Sequence, residues 1–169
     1  YLLKIQASDS TLETRTFEEG IRGAVFGDEA YFRQHFLEHM PNEEVFRERA
    51  VKSAKEYLGV QYRWGGKSSQ GLDCSGLVFM SYLENGVIIY RDAKIVPEYP
   101  VNAISRAELK KGDLIFFPGH VAMYLDGGKY IHSTAFQKTP YVTINSLNPS
   151  DEDYRDDLAK KITGCGSIF

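Results

Sequence analysis

Gly71-Leu72-Asp73-Cys74-Ser75-Gly76-Leu77-Val78 joins a glycine-containing loop to an apolar run that continues to Leu83 and stops at Asn85-Gly86. The pattern predicts a buried helix with Cys74 in its first turn. Free backbone N–H groups and the positive dipole end at a helix N-terminus stabilise a thiolate, which predicts a Cys74 thiol pKa below the ordinary value of about 8.5. The same N–H groups suit the oxyanion of an acyl-transfer intermediate. A cysteine in an apolar run is also the pattern of an inert core residue, since free Cys is among the most buried side chains.

Two histidines further along favour the reactive reading. His120 follows the Pro118-Gly119 turn and opens an apolar run to Leu125, and His132 lies twelve residues later, beyond Asp126-Gly127-Gly128. Two antiparallel strands joined by a short hairpin bring such residues together on one face. Cys74 then attacks, His120 takes the thiol proton, and His132 bonds the other ring nitrogen of His120 and fixes its tautomer. One Cys and two His also match a zinc site, but structural zinc calls for four ligands in closely spaced pairs. His35 and His39 stand at i, i+4 without the glutamate arrangement of the metalloproteases, and read as a solvated helix face.

The rest of the chain reads as an α+β domain: helices first, then an antiparallel sheet. Asn42 caps a helix whose apolar stripe is Phe46, Ala50, Ala54 and Tyr57 or Leu58, closed by Gly59. Strands are expected at 113–117, 120–125, 130–133, 141–144 and 162–169. Residues 1–27 suggest short strands and 28–39 a helix bearing Phe32 and Phe36, broken by Pro41. The acidic residues 151–153 and 156–157 read as a solvated helix start capped by Ser150 or Asp151, and Cys165 as a packed or edge-strand thiol.

Composition narrows the function. The 169 residues are 43% apolar, and 20 Lys+Arg against 23 Asp+Glu leave a net charge of −3. That balance excludes a basic nucleic-acid footprint, and no apolar run approaches the ~20 residues of a membrane span. Two cysteines make no disulfide framework. The chain starts at Tyr1 without a signal pattern and reads as a fragment of a longer protein.

Five motifs in order carry a resemblance: Tyr62-x-Trp64-Gly65-Gly66, Asp73-Cys74-Ser75-Gly76-Leu77-Val78, Lys111-Gly112-Asp113-Leu114-Ile115-Phe116-Phe117, Gly119-His120-Val121-Ala122-Met123-Tyr124 and Tyr130-Ile131-His132-Ser133. From about residue 44 to 169 the chain resembles the NlpC/p60 family of bacterial cell-wall cysteine peptidases. The resemblance implies a papain-like α+β fold for residues 42–169, with 1–41 as an N-terminal segment, the remnant of an upstream SH3-like domain. It implies Cys74 as nucleophile, His120 as general base and His132 as the residue orienting it. Tyr62 matches a tyrosine whose hydroxyl reaches the nucleophile and assists the oxyanion, and Asp73 and Ser75 match pocket residues that contact substrate. Asp73 is equally placed to cap the helix, and Trp64 is expected to pack over it.

Against the family pattern, the two-residue turn Pro118-Gly119 is short and predicts one low cleft wall, while residues 89–103 keep only part of the usual sequence. The activity implied is hydrolysis of the bond between γ-D-glutamate and a diamino acid (diaminopimelate or lysine) in peptidoglycan stem peptides, with no cofactor and no metal. The partner is then peptidoglycan or a released muropeptide, and the location the cell envelope or outside the cell, or the cytoplasm for recycling. The same residues would also serve an amidase, a transpeptidase or another acyltransferase, and without activity the domain would be a wall-binding module. Oligomeric state is not encoded in these motifs.

Overall fold

The computed structural model describes residues 40–169. The strands expected at 1–27 and the helix at 28–39, with His35 and His39, lie outside the described residues. Helix α1 (Glu43–Glu56) begins where Asn42 accepts from the Val45 N–H at 3.1 Å, with two glutamates favouring its positive end. It buries Phe46, Ala50, Val51 and Ala54. Leu58 remains exposed. After Gly59 the chain runs beside residues 140–142, then forms a two-stranded ribbon of β1 (Lys67–Ser68) and β2 (Gly71–Leu72) that delivers the chain to α2 (Cys74–Leu83).

The remaining strands are β3 (Asn102–Ile104), β4 (Leu114–Phe117), β5 (His120–Asp126), β6 (Lys129–Ser133), β7 (Val142–Ser146) and β8 (Gly164–Ser167), with a short helix α3 (Asp156–Ala159) before the last. They form one antiparallel sheet in the order β3-β8-β4-β5-β6-β7. In β4, Leu114 and Phe116 pack with α1 and α2, whereas Ile115 and Phe117 join Ala122, Tyr130, Leu158 and Ile162 in a second cluster. A strand covered on both faces explains the unbroken Leu-Ile-Phe-Phe run. Arg47 ties the layers together: from α1 it donates to Asp113 at 2.7 Å and to the Lys111 carbonyl at 2.8 Å.

The acidic stretch departs from expectation. The helix starts at Asp156 with Arg155 as its cap residue, not at Ser150 or Asp151. Asp151 and Asp153 instead pair with Lys129 of β6 at 2.7 and 2.6 Å, so their charge holds a loop against the sheet. Cys165 is buried in β8, an interior strand between β3 and β4.

Candidate active site

Cys74 opens α2 behind a dense polar knot. Asp73 is the helix N-cap, and its carboxylate takes five donors: the N–H groups of Gly65 (2.7 Å) and Gly76 (2.6 Å), the Ser75 hydroxyl (3.3 Å) and both terminal nitrogens of Arg91 (3.0 and 3.1 Å). Arg91 also donates to Ser75 Oγ at 2.6 Å and to the Gly66 carbonyl at 3.3 Å. The backbones here approach so closely that a Cβ on Gly76 would sit 2.1 Å from the Gly66 oxygen, and one on Gly66 would sit 2.3 Å from the Gly71 oxygen. Only glycine fits at either position, which accounts for two of the motif glycines. Arg91 escaped the sequence reading because it lies in an irregular segment with no period to flag it.

The two histidines meet at the end of the β5–β6 hairpin. His120 Nε2 lies 2.7 Å from His132 Nδ1, with ring centroids 5.0 Å apart and nearly perpendicular. Phe117 packs on the His120 ring and Tyr130 on the His132 ring, fixing both rotamers. Two contacts bring this end of the hairpin to the cysteine. The backbone N–H of Val121, next in chain to His120, is directed at the Cys74 sulfur, and the Ser133 hydroxyl, next to His132, donates to the Leu72 carbonyl at 2.6 Å. The Val121 N–H faces β6 where the β5–β6 ladder has already ended, since its rungs begin at Met123 and Ile131.

Burial decides the electrostatics. His132 is fully buried and its pKa falls to about 3, from desolvation first and the neighbouring His120 second. His120 falls to about 4, again from burial, with the Arg155 guanidinium pushing it down and Asp157 pushing it up. The Cys74 thiol moves up rather than down. Desolvation outweighs the N–H groups of Val121, Ser75 and Cys74 itself, and the Asp73 charge adds to the rise. The expectation of a lowered thiol pKa is therefore corrected: at a cysteine only 8% exposed, loss of water exceeds what the helix terminus returns. The resting site is a neutral thiol beside neutral imidazoles.

Tyr62 lies close enough to Cys74 and Asp73 for their charges to raise its phenol pKa, after desolvation. Trp64 does not pack over the helix. It is 86% exposed on the loop whose following N–H, that of Gly65, is held by Asp73. Among the described residues no group of three or more His, Cys, Asp or Glu is arranged to hold a metal ion.

A family model described as the NlpC/P60 family matches residues 59–155. The chain is 47% identical over 148 residues, 85% of its own length and 54% of the relative's, to dipeptidyl-peptidase 6 of Lysinibacillus sphaericus. It is 38% identical over 106 residues, 58% of its length and 31% of the relative's, to a γ-D-glutamyl-L-lysine dipeptidyl-peptidase of Bacillus cereus. The chain thus spans about half or less of these curated relatives. Among solved structures, an NlpC/P60 family protein from Bacillus cereus superposes with a TM-score of 0.58 at 32% identity, covering 70% of this chain and 39% of that one.

Proposed function

This chain belongs to the NlpC/P60 family, and from that premise we propose that it is a cysteine peptidase cutting the γ-D-glutamyl–diamino acid bond of peptidoglycan stem peptides. The observation that carries the reading is the convergence of the Cys74 helix terminus, through the Val121 N–H, on a hairpin whose two imidazoles stand 2.7 Å apart. The names of the relatives, a dipeptidyl-peptidase and a γ-D-glutamyl-L-lysine dipeptidyl-peptidase, support the bond and the substrate class.

With both partners neutral, the thiol proton passes to His120 as the sulfur attacks the amide carbonyl, so the thiolate forms only with substrate in place. The backbone N–H groups around Cys74, and the Tyr62 hydroxyl, are the donors available to the oxyanion. The His120 imidazolium then protonates the leaving amine, giving a thioester, and His120 acts as base for the water that releases it. Ser75 and Asp73, buried and bonded to each other at 3.3 Å, flank the nucleophile in sequence, and Trp64 on the preceding loop is exposed to a substrate. An enzyme acting on the polymer works in the cell envelope or outside the cell, and one acting on released muropeptides works in the cytoplasm. Among the described residues no helix is long and apolar enough to cross a membrane.

The test uses intact peptidoglycan and a free L-Ala-γ-D-Glu-diamino acid peptide, with products identified by mass and Cys74→Ala as control. A cut after γ-D-Glu that disappears in Cys74→Ala is the expected result, and the preferred substrate distinguishes wall turnover from recycling. Cleavage by Cys74→Ala at the parent rate would overturn the mechanism. A ligated product with added amine would redirect it to acyl transfer.

A further inference from the structure

The line of hydrogen bonds does not end at the histidine pair. His132 Nε2 lies 2.9 Å from Asn145 Oδ1, and Asn145 Nδ2 donates to the backbone carbonyl of Asp153 at 2.8 Å. A backbone carbonyl can only accept, so the Asn145 atom beside it is the amide nitrogen and the atom turned to His132 is the amide oxygen. That oxygen also only accepts, so His132 Nε2 bears a proton. In a neutral imidazole the other nitrogen is then a bare lone pair. His132 Nδ1 accordingly accepts from His120 Nε2–H across 2.7 Å, and His120 Nδ1 is left as the unprotonated nitrogen of its ring.

The polarity of this chain starts from a well-anchored group. The Asp153 carbonyl also accepts from the Ser146 N–H at 3.1 Å. The carboxylates of Asp151 and Asp153 grip Lys129, three residues before His132 on β6, and Ser146 donates to Asp151 at 2.7 Å. The loop after β7 is thus strapped to the strand that carries His132. Burial keeps both rings neutral near pH 7, which is the condition for a defined tautomer at each.

We propose that Asn145 is a positioning residue that locks the tautomer of His132, and through it that of His120, so that His120 Nδ1 is the nitrogen that receives the Cys74 proton. In that transfer the Sγ–H bond breaks, an Nδ1–H bond forms, and the sulfur electron pair goes to the carbonyl carbon. The Nε2–H of His120 stays on its bond to His132, so no second proton has to move. With the opposite tautomer at His132, its Nδ1–H would meet the His120 Nε2–H head on, unless His120 gave up that tautomer. His120 would then carry its proton on Nδ1 and present no base. The final step rests on the peptidase reading; the tautomers are a property of the resting protein.

The experiment reads imidazole nitrogens by 1H–15N correlation in the uniformly labelled resting protein. Both rings are expected to be protonated at Nε2 and bare at Nδ1, with a 15N–15N coupling across the His120–His132 hydrogen bond. The reverse assignment at either ring in the parent protein overturns the proposal, and this holds even if no variant folds. Asn145→Leu keeps the branching at the γ carbon and removes the acceptor. It should show mixed tautomers at His132 and lower kcat by roughly 10²-fold with KM unmoved. Asn145→Asp restores an acceptor oxygen and should restore the Nε2–H tautomer and part of kcat. An Asn145→Leu protein with single, unchanged tautomers and full kcat would overturn the lock. A parent with the expected tautomers that cleaves neither substrate would leave the lock standing and remove the peptidase reading instead.

Discussion

The two sides of the candidate cleft are held by opposite chemistry. On the cysteine side, charge is concentrated: one carboxylate, Asp73, gathers backbone N–H groups, a hydroxyl and the Arg91 guanidinium into a knot that sets where α2 begins. On the histidine side the chain from His120 through His132 and Asn145 to the Asp153 carbonyl carries no net charge at all. Arg155 and Asp157 stand near it as a neutralising pair, bonded at 2.7 Å. An ion pair fixes geometry strongly because its partners cannot exchange roles. A neutral imidazole relay also fixes geometry, and it leaves one nitrogen free to gain and lose a proton at little cost.

Replacing the proton acceptor should have the largest effect. His120→Ala is expected to lower kcat/KM by roughly 10²–10⁴-fold while the circular dichroism spectrum is kept; comparable loss of fold and activity would mean the ring is structural. Next comes the ionic knot. Asp73→Ala strands Arg91 and two backbone donors and should lower unfolding stability on the order of 3 kcal/mol, measured by urea titration. Adding Arg91→Met should return part of that loss, and strict additivity would deny that the two act as a unit.

Acid provides a third measure. His120 and His132 have folded-state pKa values of about 4 and 3, below the ordinary histidine value of about 6.5, so the unfolded chain binds their protons first. Their neutral burial therefore supports the fold fully above about pH 6.5, and that support is lost as pH falls toward 4. Thermal melts at stepped pH should show Tm dropping across this window, and a flat profile would contradict a neutral relay. The smallest effect is expected at the rim. Trp64→Ala should change stability by less than about 0.5 kcal/mol, with any kinetic consequence confined to KM; a large loss of stability would mean that Trp64 packs after all.

Local chemistry was legible and distant pairing was not. The Asn42 cap, the stripe Phe46-Ala50-Ala54, the apolar helix after Asp73 and the Pro118-Gly119 and Asp126-Gly127-Gly128 turns announce α1, α2 and the β4–β6 meander. Cys74, His120 and His132 stand out because their chemistry is rare and their spacing fits a hairpin. Asn145 looks like any outward polar residue of an alternating strand, and only the register of β7 on β6 puts it behind His132. Asp151 and Asp153 suggest a helix start until Lys129, more than twenty residues earlier, claims them. Strand β3, with three residues, is too short to show a period. The rise of the Cys74 pKa and the exposure of Trp64 both depend on how much water reaches a side chain, which residue identity alone does not state.

Both imidazoles ride on a single hairpin whose rungs run from Met123–Ile131 to Asp126–Lys129, with one bulge between Tyr124 and Asp126. They consequently share its fluctuations. Breathing of β5 against β6 is resisted by the rungs below the rings, whereas the sulfur belongs to a different element, α2. The soft coordinate of the site is therefore the sulfur-to-imidazole gap rather than the imidazole-to-imidazole one. In hydrogen-exchange terms, amides within the hairpin should open only with global unfolding, while the Val121 N–H, which faces sulfur in place of a strand partner, should exchange by a separate and easier local opening.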